Sequence, residues 1–228
     1  MKNFCVSFTE YFIKICSVIF DTKFLELSLN AKVLEFGDFT LKSGRKSPYF
    51  FNAARMLNGG YLYELAECYK HAINAANLKF DCIYGPAYKG IFLGSIIAMI
   101  FDKDGFKYPL SFDRKEIKDH GEGGTIIGNN PSGDVLIVDD VISAGTAAKE
   151  SIKMIKSTGA TPKIMMVGLD RQERGSGNLS ARRELEEEFG MQVISIINLD
   201  TLITYSQSNS GYETHLERLQ AYRNEWGA

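Results

Sequence analysis

The sequence predicts an α/β protein built on a parallel sheet, and three observations carry that prediction. Short apolar runs near 81–84, 108–112, 135–138, 163–169 and 192–197 are separated by segments of helical spacing. The run Val135-Leu136-Ile137-Val138 is uninterrupted, as suits a strand buried on both faces. Several runs end in small-residue or charged turns, at the carboxyl edge where open α/β sheets bind ligands. The 228 residues are 45% hydrophobic and 24% charged, enough to build an ordinary globular core. A net charge of -2 argues against a general nucleic-acid surface, so any anion site is local.

Taken in order, residues 1–20 form an apolar extension interrupted by Glu10 and Lys14, with no small-residue cleavage site after it. Those charges speak against a membrane span, which needs about 20 apolar residues. An amphipathic helix packed on the body and a segment upstream of the true start both stay open. Residues 21–228 read as one domain. Cys5, Cys16, Cys68 and Cys82 have no C-x-x-C spacing, as expected of reduced thiols in the cytoplasm.

Residues 33–53 read as two strands around a Ser-Gly-Arg-Lys-Ser-Pro turn carrying Lys42, Arg45 and Lys46, with Phe50-Phe51 following; residues 33–60 supply most of a hood over the sheet edge. Residues 61–77 have the spacing of an amphipathic helix. The strand at 82–84 runs into Gly85-Pro86-Ala87-Tyr88-Lys89-Gly90, and 91–101 continue as a mainly apolar helix. Residues 113–124, DRKEIKDHGEGG, interleave both signs of charge and close in glycines, the composition of a mobile loop.

The central stretch is GDVLIVDDVISAGTAA, from Gly133 to Ala148. Asp139 and Asp140 end a strand, Ser143-Ala144-Gly145-Thr146 let the backbone approach a ligand, and a helix starting near Thr146 turns its free N–H groups to the same place. An anion cradle beside two carboxylates suits a phosphorylated sugar: the acids take hydroxyl donors or a cation, and the cradle takes phosphate. Downstream, Arg171 follows the strand at 163–169, where its planar guanidinium can pair bidentately with a carboxylate. A charged helix at 178–189, a strand at 192–197 and a helix at 198–205 complete the body, and Ser210-Gly-Tyr-Glu213 has capping-box spacing for a terminal helix.

The strand, Asp139-Asp140 and Val141-Ile142-Ser143-Ala144-Gly145-Thr146 resemble the phosphoribosyl diphosphate (PRPP) motif of the type I phosphoribosyltransferases. FTLKSGRKSPYFFN, PAYKG, DRKEIKDHGEGG and LDRQERG are similar to the hood, diphosphate loop, catalytic loop and base-binding segment of the orotate branch. The resemblance covers residues 36–222 and implies the type I fold, with transfer of the 5-phosphoribosyl group from PRPP to orotate in pyrimidine biosynthesis. It implies Asp139 and Asp140 on the ribose hydroxyls, and Val141, Ile142, Ser143, Ala144, Gly145, Thr146 and Ala147 around the 5-phosphate. Lys42, Tyr88, Lys89, Arg114, Lys115, Lys118 and His120 meet the rest of PRPP; Lys115, Lys118 and His120 join the two acids as catalytic. Phe50, Phe51, Ser143 and Arg171 face orotate. The resemblance also implies Mg²⁺ bound mainly through PRPP, with no direct protein ligand, and a homodimer that shares the loop. Ser143 stands where many members carry Thr, which keeps the hydroxyl and drops a methyl. Another type I phosphoribosyltransferase would lack the hood string and the setting of Arg171, and a PRPP-binding regulator would lack an intact loop.

Overall fold

The structure, a computed structural model, describes residues 20–41, 43–118, 124–175 and 177–228, with the backbone alone at 115–118 and 124. Six strands form one sheet in the order β5-β4-β3-β6-β7-β8. These are β3 (Cys82–Gly85), β4 (Leu110–Lys118), β5 (Gly124–Gly128), β6 (Asp134–Ile142), β7 (Thr161–Asp170) and β8 (Gln192–Asn198). All neighbours run parallel except β5, which pairs antiparallel with β4 at one edge.

Strand β6 shows why the sheet is central. Leu136 and Val138 enter one buried cluster with helices α2 (Leu62–Ala75) and α3 (Lys89–Lys103), while Val135 and Ile137 enter another with α4 (Thr146–Ser157) and α5 (Ala181–Phe189). Period-two alternation thus buries both faces, and every side chain from 135 to 138 has to be apolar. On the α2 side, Leu65, Ala66, Tyr69 and Ile73 form the buried stripe of a helix. Among the described residues no helix is long and apolar enough to cross a membrane.

The hood is an antiparallel hairpin of β1 (Leu34–Thr40) and β2 (Lys46–Phe51), followed by a 3-10 turn at Ala53–Asn58. Helices α6 (Leu199–Ser208) and α7 (Glu213–Trp226) pack on one another, and α7 also contacts β2. Helix α1, at 20–30, lies under the hood and inserts Phe24 between Phe51 and Tyr69. The sequence reading assigned that segment no helix. The extension expected at 1–20 lies outside the described residues except for Phe20.

Two further expectations are corrected. Residues 113–118 are strand rather than loop: Asp113 pairs with Ile126 and Lys118 with Gly124, with an irregularity between. Charge signals solvation, yet beyond Phe112 β4 has left its register with β3 and pairs with β5 alone, so the backbone is satisfied on one side and charged side chains are carried freely. The remainder of that stretch, 119–123, lies outside the described residues. Ser210 does not cap α7; Tyr212 is the cap residue, and Glu213 turns back to accept the Gly211 N–H at 2.7 Å.

Candidate active site

The strand order reverses between β3 and β6, which opens a crevice at their carboxyl ends. Strand β6 brings Asp139 and Asp140 there. The Asp140 N–H donates to Asp139 Oδ1 at 2.8 Å, and Lys89 Nζ donates to Asp140 Oδ2 at 2.5 Å. Burial, followed by the neighbouring Asp140 charge, pushes the Asp139 carboxyl up to about 7. The two acids are therefore unlike: Asp140 is buried and held by a lysine, while Asp139 is half-buried and accepts its neighbour's N–H. From α2, the Tyr69 hydroxyl donates to the Asp139 carbonyl at 3.0 Å and fixes the strand end.

Ser143, Ala144, Thr146 and Ala147 are exposed, in an open turn at the head of α4. Gly145 has φ +77°, a left-handed conformation that glycine adopts without strain, and no side chain caps the helix. The first-turn N–H groups of α4 are thus left for water or an anion. Val141 and Ile142 differ from the other motif residues. Ile142 is buried in the α4 cluster, its carbonyl accepting the Arg171 N–H at 3.2 Å, and Val141 packs against the opposite cluster, so both are framework at the side-chain level.

The β3–α3 turn closes the other wall. A Cβ on Gly90 would lie 2.7 Å from the Val138 carbonyl oxygen, so glycine alone lets α3 begin against β6 and sets Lys89 beside Asp140. The Ala87–Tyr88 peptide is cis, Tyr88 is exposed, and the Ala87 N–H donates to Asp113 Oδ1 at 2.7 Å. Arg114 follows, with its Nε buried and, among the described residues, without a hydrogen-bond partner. Lys42 and His120 lie outside the described residues, and of Lys115 and Lys118 only the backbone, in β4, is described.

The base-side residues are arranged differently from expectation. Phe51 is 6% exposed and belongs to the core beside Phe24; half-buried Phe50, its alternate on β2, stacks on Phe39 at 5.4 Å. Successive strand residues face opposite ways, so the two rings cannot share one pocket wall. Arg171 is 3% exposed and already engaged: Nε donates to Glu173 Oε1 at 2.5 Å, and Nη2 donates to Ser47 Oγ at 2.8 Å and the Tyr222 hydroxyl at 2.9 Å. Its guanidinium also lies 4.2 Å over the Tyr49 ring. A guanidinium held this way brings positive charge to the base side but does not present an open bidentate fork. Sequence reading missed Glu173, Ser47 and Tyr222. For Glu173 and Ser47 the signal was adjacency to Arg171 in LDRQERG and to Arg45 in the hood turn; Tyr222, 51 residues from Arg171, had none.

The fold and these contacts set the chain beside known proteins. A family model described as a phosphoribosyl transferase domain matches residues 60–176. Over 208 residues the chain is 50% identical to the orotate phosphoribosyltransferase of Marinobacter nauticus, covering 91% of this chain and 98% of that one. It belongs to the orotate phosphoribosyltransferase family. The protein of that name from Haemophilus influenzae is 48% identical over 205 residues, 90% of this chain and 96% of that one. The crystal structure of the Francisella tularensis orotate phosphoribosyltransferase matches with TM-score 0.79 and 36% identity, over 90% of this chain and 100% of that one. An adenine phosphoribosyltransferase from Thermoanaerobacter pseudethanolicus shares the fold at TM-score 0.52 and 17% identity, covering 77% of this chain and 99% of that one.

Proposed function

We infer that the chain transfers the 5-phosphoribosyl group from PRPP to orotate, giving orotidine 5-phosphate and diphosphate in pyrimidine biosynthesis. The observation that carries this reading is the exposed 143–147 turn at the head of α4, directly after two unlike acids at the switch point. Breaking the C1–O bond builds positive charge on ribose and negative charge on the departing diphosphate. Asp139 and Asp140 take the ribose hydroxyls and supply anionic field to the ribose, while the α4 N-terminus and the 143–147 turn take the 5-phosphate. Lys89 leaves Asp140 for the diphosphate, joined there by Lys42, Arg114, Lys115, Lys118 and His120, with Tyr88 at the rim. Phe50 offers a ring face to orotate, and Arg171 favours the anionic base through its field.

Mg²⁺ fits this donor set in one way. Asp139 and Asp140 are hard oxygen donors, yet among the described residues no three acidic, histidine or cysteine side chains form a metal cage. Asp139 and Asp140 are the residues that would hold the ion beside PRPP, which would supply its other ligands. When bound it neutralises charge on the leaving diphosphate.

We place the active form as a cytoplasmic homodimer whose 113–124 segment serves the partner's site, with residues 21–228 as one domain and neither nucleic acid nor membrane as a partner. The test is an assay of purified protein with PRPP and Mg²⁺ against orotate, uracil, adenine and hypoxanthine. Turnover of orotate alone is expected. Turnover of a purine, or of uracil equally well, contradicts the reading.

A further inference from the structure

We propose that Glu173 is the positioning residue of the base side of the site, acting through Arg45 and Arg171 to hold the hood at a fixed height over the sheet. Glu173 is 2% exposed and is shared between two guanidinium groups: Oε1 accepts from Arg171 Nε at 2.5 Å and Oε2 from Arg45 Nη1 at 2.7 Å. Arg45 lies in the β1–β2 turn of the hood, while Arg171 and Glu173 follow β7 in the sheet. One carboxylate therefore ties the hairpin turn to the sheet edge.

The tie is extended on both flanks. Arg171 Nη2 donates to Ser47 of β2, whose hydroxyl donates to the Tyr49 carbonyl at 2.6 Å. The Tyr222 hydroxyl of α7 donates to the same Glu173 oxygen at 2.5 Å, and Arg45 lies 4.8 Å over the Trp226 ring. The Arg174 N–H donates to the Trp226 carbonyl at 2.9 Å, so the end of α7 is fastened to the same loop. Hood, β7–α5 loop and terminal helix converge on a single buried carboxylate.

Electrostatics explains why the acid is indispensable there. Two guanidinium groups without it repel each other across the hood–sheet seam, and the turn lifts. With it, the cluster of Arg45, Arg171 and Glu173 keeps one net positive charge, of the sign that suits an anionic ring. The hood turn precedes Phe50 by a few residues on the same strand, so displacing the turn displaces the wall facing the base and leaves the 143–147 cradle untouched.

This inference rests on the proposed reaction, and the test separates the two. Orotate KM, PRPP KM, kcat and thermal midpoint are measured for the parent, Arg45→Ala, Glu173→Gln and the double variant. A parent inactive on orotate counts against the reaction itself. With an active parent, each single variant is expected to raise the orotate KM about tenfold, as small misplacements of a binding group do, while the PRPP KM stays within about twofold. The double variant should resemble the worse single variant, since both cut the same tie. Arg45 is partly exposed and its removal leaves the core intact, so Arg45→Ala alone decides if Glu173→Gln does not fold. Equal rises in both KM values, or a lowered midpoint with both KM values unchanged, overturn the positioning role.

Discussion

Asp139→Asn is expected to make the protein more stable and nearly inactive, and the stability gain should depend on pH. Burial and the Asp140 charge lift the Asp139 carboxyl from an ordinary 3.8 to about 7. The folded state thus binds the proton more tightly than the unfolded state, so stability falls as pH rises from about 4 to about 7 and stays low above that. At about 1.4 kcal/mol per tenfold change in proton affinity, the full displacement corresponds to roughly 4 kcal/mol. Asp139 is only half-buried, and solvent screening together with the Lys89–Asp140 pair lowers that ceiling to about 1–2 kcal/mol. Asparagine removes the charge and keeps an oxygen to accept the Asp140 N–H. Urea unfolding at pH 8 and near pH 4.5 measures the effect: a gain of about 1–2 kcal/mol at pH 8 that shrinks toward zero at the lower pH is expected. A variant less stable than the parent at pH 8, or a gain equal at both pH values, refutes the reasoning. Activity should fall sharply even with PRPP saturating, because the lost charge acts in the transition state.

Other perturbations test the remaining parts of the site. Arg171→Ala removes a donor from Ser47, Tyr222 and Glu173; unfolding should be easier by about 3 kcal/mol and the orotate KM should rise while the PRPP KM holds, and unchanged orotate kinetics count against a base-side role. Gly145→Ala forces a side chain into the left-handed region at φ +77°, costing about 1 kcal/mol and raising the PRPP KM more than the orotate KM; equal effects on both substrates speak against the cradle. Mixing inactive Lys115→Ala chains with inactive Asp139→Asn chains should restore activity in the heterodimer, and a heterodimer that forms but stays inactive places each 113–124 segment in its own subunit.

The sheet was legible because its strands announce themselves. A run such as Val135 to Val138 is apolar at every position since both faces are covered, and no helix of that length is stable alone. The glycine turn was legible for a related reason, since local sequence alone sets a left-handed residue and a helix start; the strand end was not, because β6 runs on through Asp139 and Asp140 to Ile142 alongside β7. Where a non-local partner decided the outcome, composition misled. Residues 113–118 have the charge of a loop, and only the presence of β5 alongside makes them strand. Phe50 and Phe51 looked like a pair of equals, and only α1, through Phe24, assigns the second ring to the core.

Arg171 is the sharpest case of this limit. A guanidinium at a strand's carboxyl edge reads from sequence as free to meet a ligand, and its own segment already contains an acid two residues on. What no local pattern reveals is that Arg45, 128 residues away from Glu173, claims the other oxygen of that acid, or that Ser47 and Tyr222 arrive from opposite ends of the chain to claim the same guanidinium. Each contact satisfies a polar group that burial would otherwise penalise, so the network is self-consistent only when complete. The Arg171 network is built from elements around the sheet edge: hood turn, β7–α5 loop and terminal helix. On the proposed reaction, the base side of the site therefore depends on how those three pieces are held together as much as on any single residue facing the ligand.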